Sequence, residues 1–300
     1  MDTWVILSVA AAAFQTLRFM VQKSLSMGTL SAGGATLARF VYAAPVVILL
    51  TALYAVSLGV SVALPDAVFW AYALTGGLAQ ILATWCVVAL FSMRNFAVGI
   101  TFKKTEVIQT ALVGLIVLGD RISGAGLAAI LIGLAGVMIL SLGAPARGGA
   151  RGGFADRAAL LGLISGGLFA ISAVGYRAAT LEVASDDPLL RAGLTLCVVT
   201  SAQTLGLGLW LRLREPGQIS RVWRARQQAI WMGLMGVGGS LCWFTAFTLQ
   251  NAAYVFAVGQ VEVIFSMLAS VLFSRERITA REYSGITLLT VSILALVMLG

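Results

Sequence analysis

Hydrophobic residues run together along this chain in stretches of about 20, the length at which a helix crosses the apolar core of a bilayer, and short polar breaks divide one stretch from the next. Ten helices are predicted, over 4–23, 32–58, 67–92, 95–118, 123–143, 157–180, 188–212, 227–249, 252–273 and 280–299. Pro65, Pro145, Pro188 and Pro216 fall at or beside the breaks, where a residue without an amide hydrogen ends a helix. Pro45 alone lies inside a stretch and is expected to kink the second helix, with neighbouring helices satisfying the carbonyl it frees.

The pattern occurs twice. Residues 105–123 return without a gap as residues 261–279, so that Glu106 matches Glu262, and at the same offset Asn95 matches Asn251, Cys86 matches Cys242 and Gly77 matches Gly233. Residues 1–143 form a first five-helix repeat, residues 144–156 a Gly/Arg-rich linker and residues 157–300 a second five-helix repeat. Five is odd, so the two repeats enter the membrane in opposite senses. The expected fold is all-α and integral to the membrane, ten transmembrane helices as two inverted five-helix repeats. Such a repeat places a small-molecule site near the midplane, between the halves.

Composition agrees: 60% of the residues are hydrophobic and only 11% charged, too few to cover the surface of a water-soluble domain. The net charge of +8 would suggest nucleic acid in a soluble protein. Here the arginines sit mainly in loops beside lipid, so the bilayer is the partner and nucleic acid is not. Cys86, Cys197 and Cys242 all lie within predicted spans, and with no histidine in the chain neither a disulfide framework nor a metal centre is expected, nor any cofactor. The 33 glycines suit closely packed membrane helices. The first apolar run has no basic region before it, so it is expected to be retained as helix 1.

The charges inside the spans carry the chemistry. At 100° per residue Asn95, Gly99, Lys103, Glu106, Thr110 and Gly114 fall along one stripe of the fourth helix, and Asn251, Val255, Gly259, Glu262, Ser266 and Ser270 along the matching stripe of the ninth. One charged side chain at mid-membrane costs on the order of 3 kcal/mol. Lys103, Lys104 and Glu106 therefore face the protein interior. Lys103 and Glu106, three apart, are close enough to pair; a closed pair that only locks helices is the competing reading to a cavity that meets substrate or protons. Lys103 and Lys104 correspond to Gly259 and Gln260, an asymmetry that favours an oriented substrate. Glu262, with no lysine at those places, is expected to be the better proton carrier. Arg18 and Arg39 are further candidates, whereas Lys23 and Arg177 are expected to snorkel to the headgroups.

The duplicated glutamate helices, the short turns over 118–123 and 273–279 that follow them, and Arg39-Phe40 resemble the drug/metabolite transporter superfamily, and within it the EamA-like ten-helix carriers, over the whole chain. Two features depart from that group: Val107 and Val263 stand where proline usually follows the glutamate, and Phe14-Gln15 where a tryptophan is common. The resemblance implies a cavity lined by helices 1, 3, 4, 6, 8 and 9, which brings in Gln15, Trp85, Trp243 and Tyr254. It also implies a secondary active transporter, an exporter of an amino acid or related small polar metabolite that works by alternating access, with protons as a candidate coupling ion. An organic-cation or drug carrier using Glu106 and Glu262 together is the alternative. A membrane-embedded transferase ranks below both, since there is no histidine and no loop long enough for a catalytic dome; a channel or structural subunit is a third reading. The expected setting is a bacterial inner membrane, as monomer or homodimer. Arginine-rich odd loops put both termini outside by the positive-inside rule, the reverse of the family's orientation.

Overall fold

The computed structural model describes residues 2–28, 30–60, 65–91, 93, 96–142, 157–265, 268 and 280–299. Among these no strand occurs. The helices are α1 (Thr3–Gly28), α2 (Ala32–Ser57), α3 (Ala67–Phe91), α4 (Phe96–Lys103), α5 (Glu106–Leu118), α6 (Gly124–Leu142), α7 (Arg157–Glu182), α8 (Pro188–Arg214), α9 (Gln218–Arg224), α10 (Arg226–Leu249), α11 (Ala252–Gly259) and α12 (Ala280–Leu299). Six of them, α1, α2, α3, α7, α8 and α10, are long and apolar enough to cross a membrane by length and composition alone. The linker over 144–156 lies outside the described residues, as does the whole of the turn over 273–279. Pro45 sits within α2, which runs on through it.

The fourth and ninth spans are not the continuous helices that periodicity predicted. In the fourth the ladder tightens between α4 and α5: the Lys104 amide is shared between Ile100 O at 3.3 Å and Thr101 O at 3.1 Å, and the Thr105 amide donates to Phe102 O at 3.2 Å, the third residue back. In the ninth the Val261 amide donates likewise to Val258 O at 3.1 Å, before helix resumes over 262–265. The two interruptions fall at equivalent positions of the repeat. Local charge suits the first of them, because Lys103 ends α4 and Glu106 opens α5, each at the helix end whose dipole favours its sign. Gly166 of α7 backs the same turn so closely that a Cβ there would stand 3.1 Å from Lys103 O.

Helix packing carries the internal symmetry. α3 lies along α7 as α1 lies along α10; α4 and α5 meet α7 as α11 meets α1; α10 meets α2 as α3 meets α8. α2 with α8 and α6 with α12 are pairs that the exchange returns to themselves. The main apolar core lies where these helices converge and includes Val5, Phe69, Val174, Leu196, Val237 and Phe247. The outside is apolar too: Ile116 is 81% exposed, Val56 78% and Leu205 74%. In water such a surface would drive association, and a belt of lipid is what covers it. The protein is an all-α integral membrane protein.

At the end of α5 the chain must turn sharply towards α6. Gly119 supplies a left-handed φ of 68°, and the Asp120 amide returns to Gly114 O at 3.2 Å. The turn aims the Asp120 carboxylate back at α7, where Arg177 meets it. α9, which the hydrophobic pattern did not announce, fills the connection between α8 and α10 and packs on α2, where the Tyr42 hydroxyl donates to Val222 O.

Candidate functional site

Both interruptions open on one cavity of about 600 Å3, its mouth included. Its walls come from α1, α3, the α4–α5 turn, α7, α10 and α11, the six spans the resemblance implied, with Arg39 of α2 added.

Glu106, 5% exposed, faces the cavity with Lys103 Nζ 2.9 Å from each of its carboxylate oxygens. The lysine side chain passes 4.9 Å from the Phe169 ring centroid, which gives its charge a second favourable contact. Glu262 is held from two sides: Gln15 Nε2 donates to one oxygen and Lys104 Nζ forms an ion pair with the other. Lys104 comes from the other repeat, so Glu262 meets a lysine although the places matching Lys103 and Lys104 in its own repeat hold Gly259 and Gln260. The partner arrives through the packing of α5 against α11.

The asymmetry at the centre has a steric cause. Gly259 stands where the first repeat has Lys103, and the Trp243 indole lies over it so closely that a Cβ would overlap the ring. Trp243 stacks on Phe247 at 5.7 Å between centroids, and Phe256 stands edge-on to both at 5.3 and 5.4 Å. One wall of the cavity is thus aromatic. The other is basic: Arg18 and Arg39, 4% and 6% exposed, enter from α1 and α2.

Of the residues picked out in the sequence, Gln15, Arg18, Arg39, Lys103, Glu106, Trp243, Gln260 and Glu262 line the cavity, and Lys104 reaches Glu262 from behind it. Three do not. Trp85 packs edge-on against Trp210, 4.7 Å away, because its face of α3 turns towards α8. Tyr254 points its hydroxyl at the Ser123 amide, 3.4 Å off, and lies over Gly126 at the start of α6. Asn251 caps α11, accepting from the Ala253 amide at 2.9 Å, the usual work of an asparagine at a helix start. Asn95 and the Lys23 side chain lie outside what is described. Arg177 does not snorkel: it donates to Asp120 at 2.9 Å and to Phe247 O and Gln250 O at 2.7 and 2.9 Å, tying α7 to the ends of α5 and α10.

Sequence reasoning missed Gln80, Ser172, Tyr176 and Ser240 as cavity residues. Phe169, Ser172 and Tyr176 stand at i, i+3 and i+7 of α7, one helical face, and that spacing was the available signal. Tyr176 is fully buried, stacked on Phe244 at 4.3 Å with its hydroxyl accepting from Gln203 Nε2 at 3.3 Å.

No curated protein matches this chain in sequence. A solved structure titled only "Crystal structure of protein" shares the fold from end to end, with a TM-score of 0.71 over 99% of this chain and 96% of that one at 16% identity. Residues 156–298 match the sequence model of the EamA-like transporter family. Over those residues, a little under half of the chain, the protein is similar to the EamA-like transporter family, part of the drug/metabolite transporter superfamily of multi-pass membrane proteins.

Proposed function

We propose that the protein is a secondary active exporter of a small polar metabolite, such as an amino acid or a related compound, working by alternating access between two inverted repeats, residues 1–143 and 157–300, in a bacterial inner membrane. The observation that carries this reading is the pairing of Lys104 in one repeat with Glu262 in the other, beside a cavity at the interruptions of both. A polar contact across the repeat boundary must break when the halves rock. Interrupted helices at such a boundary are the usual place for a transport site.

Glu262 is the proposed coupling group and Glu106 the proposed binding group. A proton on Glu262 removes the charge that holds Lys104 and loosens one repeat from the other, whereas the Lys103–Glu106 pair lies within a single repeat and moves with it. The cation-carrier alternative has less support, since each carboxylate already holds a lysine. A screen of the purified protein against amino acids, organic acids, polyamines and quaternary amines identifies a ligand by the rise in melting temperature it causes. With that ligand, net transport by the wild type in proteoliposomes changes with pH. Glu262→Gln flattens the dependence while substrate-for-substrate exchange continues. A pH profile unchanged in Glu262→Gln, or exchange lost as completely as net transport, removes the coupling role.

A further inference from the structure

The charges around the cavity do not balance. Each carboxylate facing it is matched by a lysine, Glu106 by Lys103 and Glu262 by Lys104, and among the described residues no carboxylate pairs with either Arg18 or Arg39. The two guanidinium stems flank one point of α10: a Cβ on Gly236 would stand 3.6 Å from Arg39 Cγ and 3.9 Å from Arg18 Cδ. Arg18 spends one N–H on Gln22 Oε1 at 2.8 Å and lies over the Phe19 ring, while Arg39 lies over Phe40. Arg39 Nη1 is buried with no hydrogen-bond partner.

Two more buried polar atoms of the cavity wall share that condition, Trp243 Nε1 and Gln260 Oε1. A buried donor or acceptor without a partner is costly, and native structures leave few of them. Here one guanidinium donor, one indole donor and one amide acceptor belong to residues that line a single cavity, beside the rings of Trp243, Phe247 and Phe256. Two close cations without counter-ions call for an anion. Guanidinium groups in particular match the two parallel acceptors of a carboxylate or phosphate.

We propose that the cavity takes an organic anion: its carboxylate or phosphate group sits between Arg18 and Arg39, its flat apolar body lies against Trp243 and Phe256, and Gln260 Oε1 accepts one N–H or O–H from it. This rests on the transporter reading and narrows it to a charge class.

The test uses the full chain in detergent with four small probes of similar size: benzoate, phenyl phosphate, benzylammonium and benzamide. Benzoate or phenyl phosphate, or both, should raise the melting temperature and perturb tryptophan fluorescence, and which of the two acts separates a carboxylate substrate from a phosphate ester. Arg18→Gln and Arg39→Gln should each weaken the active probe at least tenfold, with Arg39→Lys recovering part of the loss. Equal stabilisation by benzamide, or stabilisation by benzylammonium alone, overturns the assignment in the wild type even where a variant fails to fold. An Arg39→Gln protein that binds the anion as tightly as the wild type overturns it as well. Exchange of labelled probe across sealed proteoliposomes keeps the two readings apart: benzylammonium bound and exchanged leaves a carrier without an anion site, whereas an anion bound through the arginines but never exchanged leaves the site and removes the carrier.

Discussion

Lys104 closes an ion pair with Glu262 across the boundary between the two repeats, while its neighbour Lys103 closes one with Glu106 inside the first. Adjacent lysines thus hold two different glutamates, one in their own sequence repeat and one in the other. A tightened turn makes this possible. In an unbroken helix consecutive side chains diverge by about 100°, and the interruption at Lys104 and Thr105 lets both ammonium groups stay in the protein interior.

Replacing either glutamate separates the two roles. Glu106→Gln and Glu262→Gln should each reduce net transport more than tenfold, with substrate-for-substrate exchange kept only in Glu262→Gln, while the protein still inserts and elutes as a single species. Each also strands a buried lysine, and removing one partner of a buried pair costs about 3–5 kcal/mol, so both variants should melt earlier than the wild type. Combining Glu106→Gln with Lys103→Met should restore much of the melting temperature without restoring transport. Recovery of both by the double variant would show that the pair serves only as a brace.

The spans were legible because lipid imposes one simple requirement, a stretch of apolar side chains long enough to cross, and a single pass along the chain reads it. The central glutamates were legible through duplication. Which face of a helix meets which neighbour was not. Trp85 and Trp243 look alike in the sequence, each well inside an apolar stretch, yet only Trp243 turns into the cavity, with Gly259 leaving room for its ring. Lys104 against Glu262 is a contact between residues 158 apart, set by the packing of α5 on α11, which no local spacing encodes. The helix interruptions had one faint mark. The place where the EamA-like group usually carries proline is Val107, in the first turn of α5, where an amide has no helical partner and proline does no harm.

Arg177 should matter more than the aspartate it meets. Arg177→Ala removes the ion pair with Asp120 and also the donors to Phe247 O and Gln250 O, whereas Asp120→Asn leaves both carbonyl bonds in place. The groups are only partly buried, at 15% and 17% side-chain exposure, so the ion pair itself contributes modestly. The melting temperature should fall clearly in Arg177→Ala and by less than half as much in Asp120→Asn. Equal falls would assign the stabilisation to the charge pair and not to the carbonyl clamp.

Orientation is testable at two exposed positions. In a background without Cys86, Cys197 and Cys242, Asp186→Cys and Arg221→Cys place single thiols in connections at opposite ends of α8. The arginine-rich connection that holds Arg221, Arg224 and Arg226 is expected on the cytoplasmic side. A membrane-impermeant maleimide should therefore label position 186 in intact cells and reach position 221 only after permeabilisation. The opposite order would give the protein the orientation of the EamA-like family.

Close approach of α4 and α7 sets the last expectation. At Gly162 a Cβ would overlap the Gly99 carbonyl, a backbone atom that no rotamer change can move aside. At Gly206, within α8, nothing lies within 4 Å of the same added carbon. Gly162→Ala must push two helices apart next to the turn that carries Lys103 and Glu106, and overpacking of this kind costs about 1–3 kcal/mol. Gly206→Ala adds a methyl group to open space and, if anything, favours the helix. The first variant should lower the melting temperature and impair transport through displacement of the Lys103–Glu106 pair, and the second should change neither. If Gly162→Ala keeps the wild-type melting temperature, the helices do not cross at glycine-to-backbone distance, and the support that α7 gives the α4–α5 turn must come from the Gln109 contacts with Thr105 and Leu163 instead.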